Sequence, residues 1–142
     1  MVIGTDLRSL ATVLTALFVG VAATLVGCAT SGGPIAVSDI KTVTGTWEGI
    51  VYPTSELDPY RVTLTIRDDG TFEVVSAPRQ VIGTASGKGT IVIRDGRLIF
   101  ESEKGGRGVA RLSEDRAGNR TMMVDATLSD NSTVSAQLSP SK

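Results

Sequence analysis

From Thr44 onward, apolar and polar residues alternate along the chain with a period of two. The clearest run spans residues 60–66, in which every second residue is apolar: Tyr60, Val62, Leu64 and Ile66. About eight short runs of this kind follow one another. Because successive side chains of a strand point to opposite faces, this pattern predicts strands with one face against a core.

Turn-forming residues separate these runs. Asp69-Gly70 and Asp95-Gly96 lie between alternating runs, a strong signal for a tight hairpin. Later runs are separated by the clusters Lys104–Gly106, Asp115–Asn119 and Ser129–Ser132. Residues Ser76–Lys88 are harder to assign, because Pro78 interrupts strand pairing and Gly83, Ser86 and Gly87 favour a loop. This segment is predicted to be a long loop or a bent strand with a bulge.

Residues 44–139 therefore form one all-β domain in this interpretation. Sequential hairpins imply an antiparallel meander, and an open meander would leave edge strands prone to association. Closing about eight short strands into an up-and-down barrel removes those edges, and such a barrel is filled by side chains or holds one small ligand. We expect a barrel, with a β-sandwich as the alternative.

The first 27 residues follow a different pattern. A short polar start with Arg8 precedes an uncharged apolar run, Leu10–Val26. The run is at the short end for a membrane-spanning helix. A positive start, an apolar run and the small Gly27 after it fit a secretory signal peptide better. Residues 1–27 are therefore predicted to be a signal-peptide helix, and an uncleaved membrane helix is the alternative.

The end of this run, Leu25-Val26-Gly27-Cys28, resembles the lipobox of bacterial lipoproteins. The resemblance implies cleavage between Gly27 and Cys28, diacylglycerol on the Cys28 thiol and acylation of its new amino group with palmitate-type chains. The partner would then be a membrane of the cell envelope. Because Ala29 and not Asp follows the cysteine, the resemblance favours the periplasmic face of the outer membrane in a Gram-negative host.

Residues 28–43 are predicted to be the acylated cysteine and a tether. Ala29–Pro34 is small, polar and rich in turn formers, a composition typical of flexible linkers. Further along, Ser38 or Asp39 is a candidate start for a short helical turn packed on the domain.

A second resemblance lies at the start of the domain. Gly45-Thr46-Trp47 is similar to the Gly-x-Trp signature of lipocalins, and the resemblance extends over the strand pattern from Gly45 to Leu138. It implies that Trp47 closes one end of a barrel. The Thr-Asp-Tyr motif and C-terminal helix of lipocalins have no counterpart. Arg111 or Arg120 would have to supply the arginine that packs on the Trp.

The amino-acid composition argues against several kinds of binding and catalytic site. The formal net charge of −1 provides no basic field for nucleic acid, and the chain has no histidine and one cysteine. This predicts a non-enzymatic protein without a catalytic site, metal or cofactor. Glu101 and Glu103 are interpreted as a solvated face, and the glycine-rich residues 105–108 as a hairpin turn without the features of a phosphate loop.

The expected function is the binding of a small apolar or amphipathic ligand inside the barrel. The candidate lining residues are Trp47, Val62, Leu64, Phe72 and Phe100. The alternative is a protein-interaction or inhibitor-type module with a packed core, acting on an envelope protein through its loops. A ligand binder should contain an apolar cavity of a few hundred cubic ångströms with a mouth, on the order of the ~300–1,000 Å³ of known sites.

Overall fold

The fold comes from a computed structural model that describes residues 32–54, 58–77 and 86–142. This part of the chain contains nine strands and one turn of 3₁₀ helix (Ile40–Thr42). In chain order the strands are β1 (Gly33–Ile35), β2 (Gly45–Pro53), β3 (Tyr60–Ile66), β4 (Thr71–Ser76), β5 (Ser86–Arg94), β6 (Arg97–Ser102), β7 (Arg107–Glu114), β8 (Arg120–Thr127) and β9 (Thr133–Pro140).

Strands β2 to β9 form a closed antiparallel barrel. Each pairs with the next along the chain, and β9 returns to pair with β2 from Trp47↔Pro140 to Pro53↔Val134. Closure satisfies the backbone groups that edge strands would leave unpaired. The prediction of an all-β up-and-down barrel of eight strands is thus confirmed, and the sandwich alternative is wrong. The predicted signal-peptide helix lies outside the described residues.

The predicted hairpins have the turn geometry that their residues favour. Asp95 and Gly96 have φ values of 51° and 72°, and they connect the paired residues Arg94 and Arg97 in a two-residue turn. Both central residues of such a turn need positive φ, which Asp and Gly tolerate best. Strand β4 continues to Ser76 and β5 begins at Ser86, whereas the bulge or loop predicted between them lies outside the described residues for 78–85.

The segment before the barrel packs on it. Strand β1 pairs with the last residues of β7, from Gly33↔Glu114 to Ile35↔Leu112, and the Val37 amide donates to the Gly96 carbonyl at 2.9 Å. The predicted helical turn is the 3₁₀ helix, whose start Asp39 caps by accepting a hydrogen bond from the Lys41 amide at 2.9 Å. Val37 and Val43 are buried. Residues 33–43 of the predicted tether therefore contact the domain.

Because all eight barrel strands alternate in direction, the connections fall at two ends. We call one end the closed end: it carries the β3–β4, β5–β6 and β7–β8 turns together with residues 32–44. We call the other end the mouth: it carries the β6–β7 and β8–β9 turns, the last residues of β2 and β4 and the first residues of β3 and β5. The most deeply buried side chains lie towards the closed end: Val43, Ile66, Leu98 and Met122.

Candidate ligand-binding site

On four of the eight barrel strands the inward-facing side chains grow in size from the mouth to the closed end. On β8 the inward residues are Ala126, Val124 and Met122 in that direction, as their burial pattern shows. Three other strands follow the same trend: β7 with Gly108, Ala110 and Leu112, β5 with Gly87, Gly89 and Ile91, and β4 with Ser76, Val74 and Phe72. On β6 the small Ser102 lies at the mouth, before the larger Phe100 and Leu98. Because small side chains cannot fill the cross-section of an eight-stranded barrel, space remains in the mouth half.

That space is a cavity of about 400 Å³. Its wall is mainly aliphatic and aromatic, and its apolar lining includes Val51, Val62, Leu64, Phe72, Val74, Phe100, Val124, Ala126, Val134, Ala136 and Leu138. The volume lies near the lower limit of known small-molecule sites, about 300–1,000 Å³. The cavity therefore has room for one small ligand.

Two phenylalanines form part of the cavity floor. The rings of Phe72 and Phe100 meet edge to face, with centroids 5.0 Å apart and planes at 75°, the arrangement that aromatic quadrupoles favour. Gly89 makes room for this pair, since a Cβ at that position would lie 2.8 Å from Cε1 of Phe72 and 1.9 Å from the Glu101 carbonyl oxygen. A glycine on β5 is thus a condition for the position of Phe72.

Beyond the floor, Trp47 occupies the closed end. Its side chain is 3% exposed, and Nε1 donates a hydrogen bond to the Val43 carbonyl at 2.9 Å. Arg120 joins the same region: its Nη1 donates to the Thr42 carbonyl at 3.0 Å and its Nε to Oε2 of Glu114 at 3.1 Å. These contacts fix residues 42–43 to the barrel, so the closed end is a packed plug.

Four of the five predicted lining residues share the cavity wall: Val62, Leu64, Phe72 and Phe100. Trp47 lies outside that wall, in the plug. Strands β8 and β9 also contribute to the wall, and their lining residues were not among those predicted from the sequence: Val124, Ala126, Val134, Ala136 and Leu138. Small inward residues near the same end of several strands were the sequence feature that could have indicated a cavity there. Gly27 and Cys28 lie outside the described residues.

Polar groups are concentrated near the mouth. Tyr60, Ser76 and Ser102 contribute to the lining there, and Lys104 and Arg107 belong to its rim. Among the described residues, Ser76 is the one polar side chain classed as buried, at 5% exposure. The described lining contains no carboxylate. The site is therefore apolar in depth and polar, with positive charge, at its opening.

Three aspartates with perturbed acidity lie in turns. A hydrogen bond from the Asn119 side chain is the main cause that lowers the pKa of Asp115 below its ordinary value of 3.8. Hydrogen bonds from the Thr71 and Ser132 side chains lower the pKa of Asp69 and Asp130 in the same way. These carboxylates also accept from backbone amides of their own turns, so their perturbation is explained by turn capping and indicates no catalytic role.

Within residues 32–54, 58–77 and 86–142, no group of three or more His, Cys, Asp or Glu side chains is arranged to hold a metal ion. Within the same residues, no helix has the length and apolar character needed to cross a membrane. A second depression, of about 410 Å³, lies against β7, β8 and β9 near the mouth, and its lining includes Asp125, Thr127 and Ser135.

Comparison of the chain with protein-family models and with characterised proteins found no match.

Proposed function

We propose that this protein is a lipid-anchored component of the bacterial cell envelope whose barrel binds a small apolar or amphipathic ligand without catalysing a reaction. The observation that carries the binding proposal is the apolar cavity of about 400 Å³ in the mouth half of the barrel. Burial of ligand surface against such a wall is favourable by about 25 cal/mol per Å². A fully packed interaction module, the alternative, would have large side chains where Gly87, Gly108 and Ala126 stand.

The distribution of polar groups favours an amphipathic ligand. An apolar chain would contact Leu64, Phe72 and Phe100 in depth, while its polar end would lie near Tyr60 and Ser76. Burying a polar group without a hydrogen bond is unfavourable. The polar end of the ligand is therefore expected at the opening. Lys104 and Arg107 at the rim favour a negatively charged end.

Native mass spectrometry of the whole protein, purified from its host in detergent, tests the binding proposal. We expect a non-covalent mass of a few hundred daltons, the size class that small-molecule pockets hold, in addition to the acyl groups. Ala126→Phe places a large side chain in the cavity and should reduce ligand occupancy at least tenfold. Gln137→Phe adds the same ring to the outer face of β9 and should leave occupancy unchanged.

Consistent absence of such a ligand, or equal occupancy in both variants, would contradict binding in the cavity. Neither result would bear on the lipid anchor, because the anchor is covalent and lies in a different part of the chain.

The anchor itself is proposed from the lipobox resemblance of Leu25–Cys28. Thiolate is the nucleophile that diacylglycerol transfer needs, and Cys28 is the single cysteine of the chain. Several acyl chains give lasting membrane attachment, whereas one gives marginal binding. The residue after it, Ala29, favours the outer membrane in a Gram-negative host.

Metabolic labelling with a fatty-acid analogue tests the anchor. The wild-type protein should be labelled, shortened by 27 residues and recovered with membranes, as the predicted cleavage before Cys28 requires. Cys28→Ser should lose both the label and the cleavage. Labelled and cleaved Cys28→Ser protein would show that the anchor has been assigned to the wrong residue.

A further inference from the structure

The chain joins the barrel at the closed end. Gly33 pairs with Glu114 at the end of β7, and a Cβ on Gly32 would lie 2.5 Å from the Glu114 carbonyl oxygen. Gly32 therefore lies against the β7–β8 turn. The next residues remain at this end, since the Val37 amide donates to Gly96 and the Thr42 carbonyl accepts from Arg120. The cavity opens at the opposite end of the same barrel.

From these positions we infer that the anchored protein holds its mouth away from the membrane to which it is attached. The ligand then exchanges with the aqueous side and does not pass directly from the anchoring leaflet into the cavity. This inference rests on the proposed acylation of Cys28, and it concerns the orientation of the site and the source of its ligand.

The short connection between Cys28 and Gly32 limits the orientations that the barrel can adopt on the membrane. Four residues from Cys28 to Gly32 span at most about 14 Å even when fully extended. An eight-residue strand such as β7 is about 26 Å long, and a tilt of roughly 40° gives the barrel a height of about 20 Å. Turning the mouth onto the bilayer would require the connection to run along that whole height, which it is too short to do.

The orientation has a consequence for the ligand. An amphipathic molecule resting in the anchoring leaflet cannot slide laterally into a cavity that opens on the far side of the barrel. It must first reach water, or be delivered by a carrier that approaches the mouth from the aqueous compartment. The accessible partner surface is then the rim that includes Tyr60, Lys104 and Arg107.

Fluorescence quenching on vesicles tests the orientation. The acylated protein, with its whole sequence from Cys28 onward, is reconstituted into phosphatidylcholine vesicles that contain a phospholipid with a nitroxide on its headgroup. A fluorophore is attached to a new cysteine at the closed end, Ala117→Cys, or at the mouth, Ser129→Cys. Both positions are exposed, and acylation blocks the thiol of Cys28. We expect at least threefold stronger quenching at position 117 than at position 129.

Insertion of twelve Gly and Ser residues between Thr30 and Ser31 is the matched control. It lengthens the connection beyond the barrel height and should bring the two quenching values together. If quenching at positions 117 and 129 still differs after the insertion, the short connection is not the cause of the orientation.

Vesicle flotation separates failure of the anchor from failure of the orientation. Floating protein with equal quenching at both positions, or with stronger quenching at position 129, would overturn the orientation and leave the anchor intact. Protein that does not float would overturn the anchor, and the orientation with it.

Discussion

The closed end and the mouth of this barrel are built from the same strands with the same alternation of inward and outward residues, but they differ in the size of the inward side chains. At the closed end, Trp47, Leu98 and Met122 fill the cross-section, and Trp47 and Arg120 hold the preceding segment by hydrogen bonds. At the mouth, Gly108 and Ala126 leave the cross-section open. The comparison indicates that tight packing is concentrated at the closed end, while the mouth half contains the cavity.

The largest expected effect is the loss of the plug. Trp47→Ala removes a 3%-exposed ring and its hydrogen bond to Val43, and truncation of a buried Trp costs about 3–5 kcal/mol of unfolding free energy. Leu128→Ala, at the 39%-exposed mouth position, should cost about 0.5 kcal/mol or less. Urea unfolding measures both, and equal losses would contradict the division between the two ends.

A pair of identical substitutions sharpens the comparison. Ala110→Leu adds volume at a fully buried position midway along β7, outside the cavity lining, and overpacking of this kind costs about 1–3 kcal/mol. Ala126→Leu adds the same volume to the wall of the cavity and should change the unfolding free energy by less than about 1 kcal/mol, since the new atoms enter free space. A larger penalty at Ala126 than at Ala110 would argue against an open mouth half.

Charge at the rim should affect ligand selection by a smaller amount. Replacing Lys104 and Arg107 together by Gln is expected to weaken binding of a fatty acid about two- to fivefold, as exposed ion pairs contribute roughly 0.2–1 kcal/mol. Binding of the alcohol of equal chain length should not change. Competition between the two ligands in native mass spectrometry measures this ratio.

The control for this experiment lies at the other end of the barrel. Arg94→Gln with Arg97→Gln removes the same charge from the β5–β6 turn and should leave the ratio as in the wild type. A change produced equally by both double variants would indicate a general effect of net charge and not a contact at the rim.

The smallest expected effect concerns the dependence of stability on pH, and it should be alike at the two ends of the barrel. Hydrogen bonds lower the folded-state pKa of Asp115 at the closed end and of Asp130 at the mouth end below the ordinary 3.8. Each stabilising contribution is therefore present above pH 3.8 and is lost as the pH falls through the lower folded-state pKa. Asp115→Asn and Asp130→Asn should each flatten the fall of Tm on acidification below that pH, and an unchanged slope in either variant would exclude its aspartate from the effect.

Much of the fold was accessible from local patterns. The alternation over residues 60–66 predicted β3, and Asp95-Gly96 predicted the β5–β6 turn, because strand faces and positive-φ turns depend on neighbouring residues alone. The candidate site was accessible only in part. Phe72 and Phe100 were identified as wall residues, whereas Trp47 was grouped with them although it packs in the plug. Position along the barrel axis depends on the register between strands, which alternation does not specify.

The amino-acid sequence by itself determined that the chain would form short antiparallel strands with tight hairpins, since these features arise from residues close together along the chain. Tertiary structure alone decided that β9 pairs with β2 and that the Val37–Val43 segment packs at one particular end of the barrel. It also decided that the unfilled space inside the barrel is a cavity. Those outcomes depend on contacts between distant residues and on the summed volume of inward side chains from every strand, quantities that no single stretch of sequence contains.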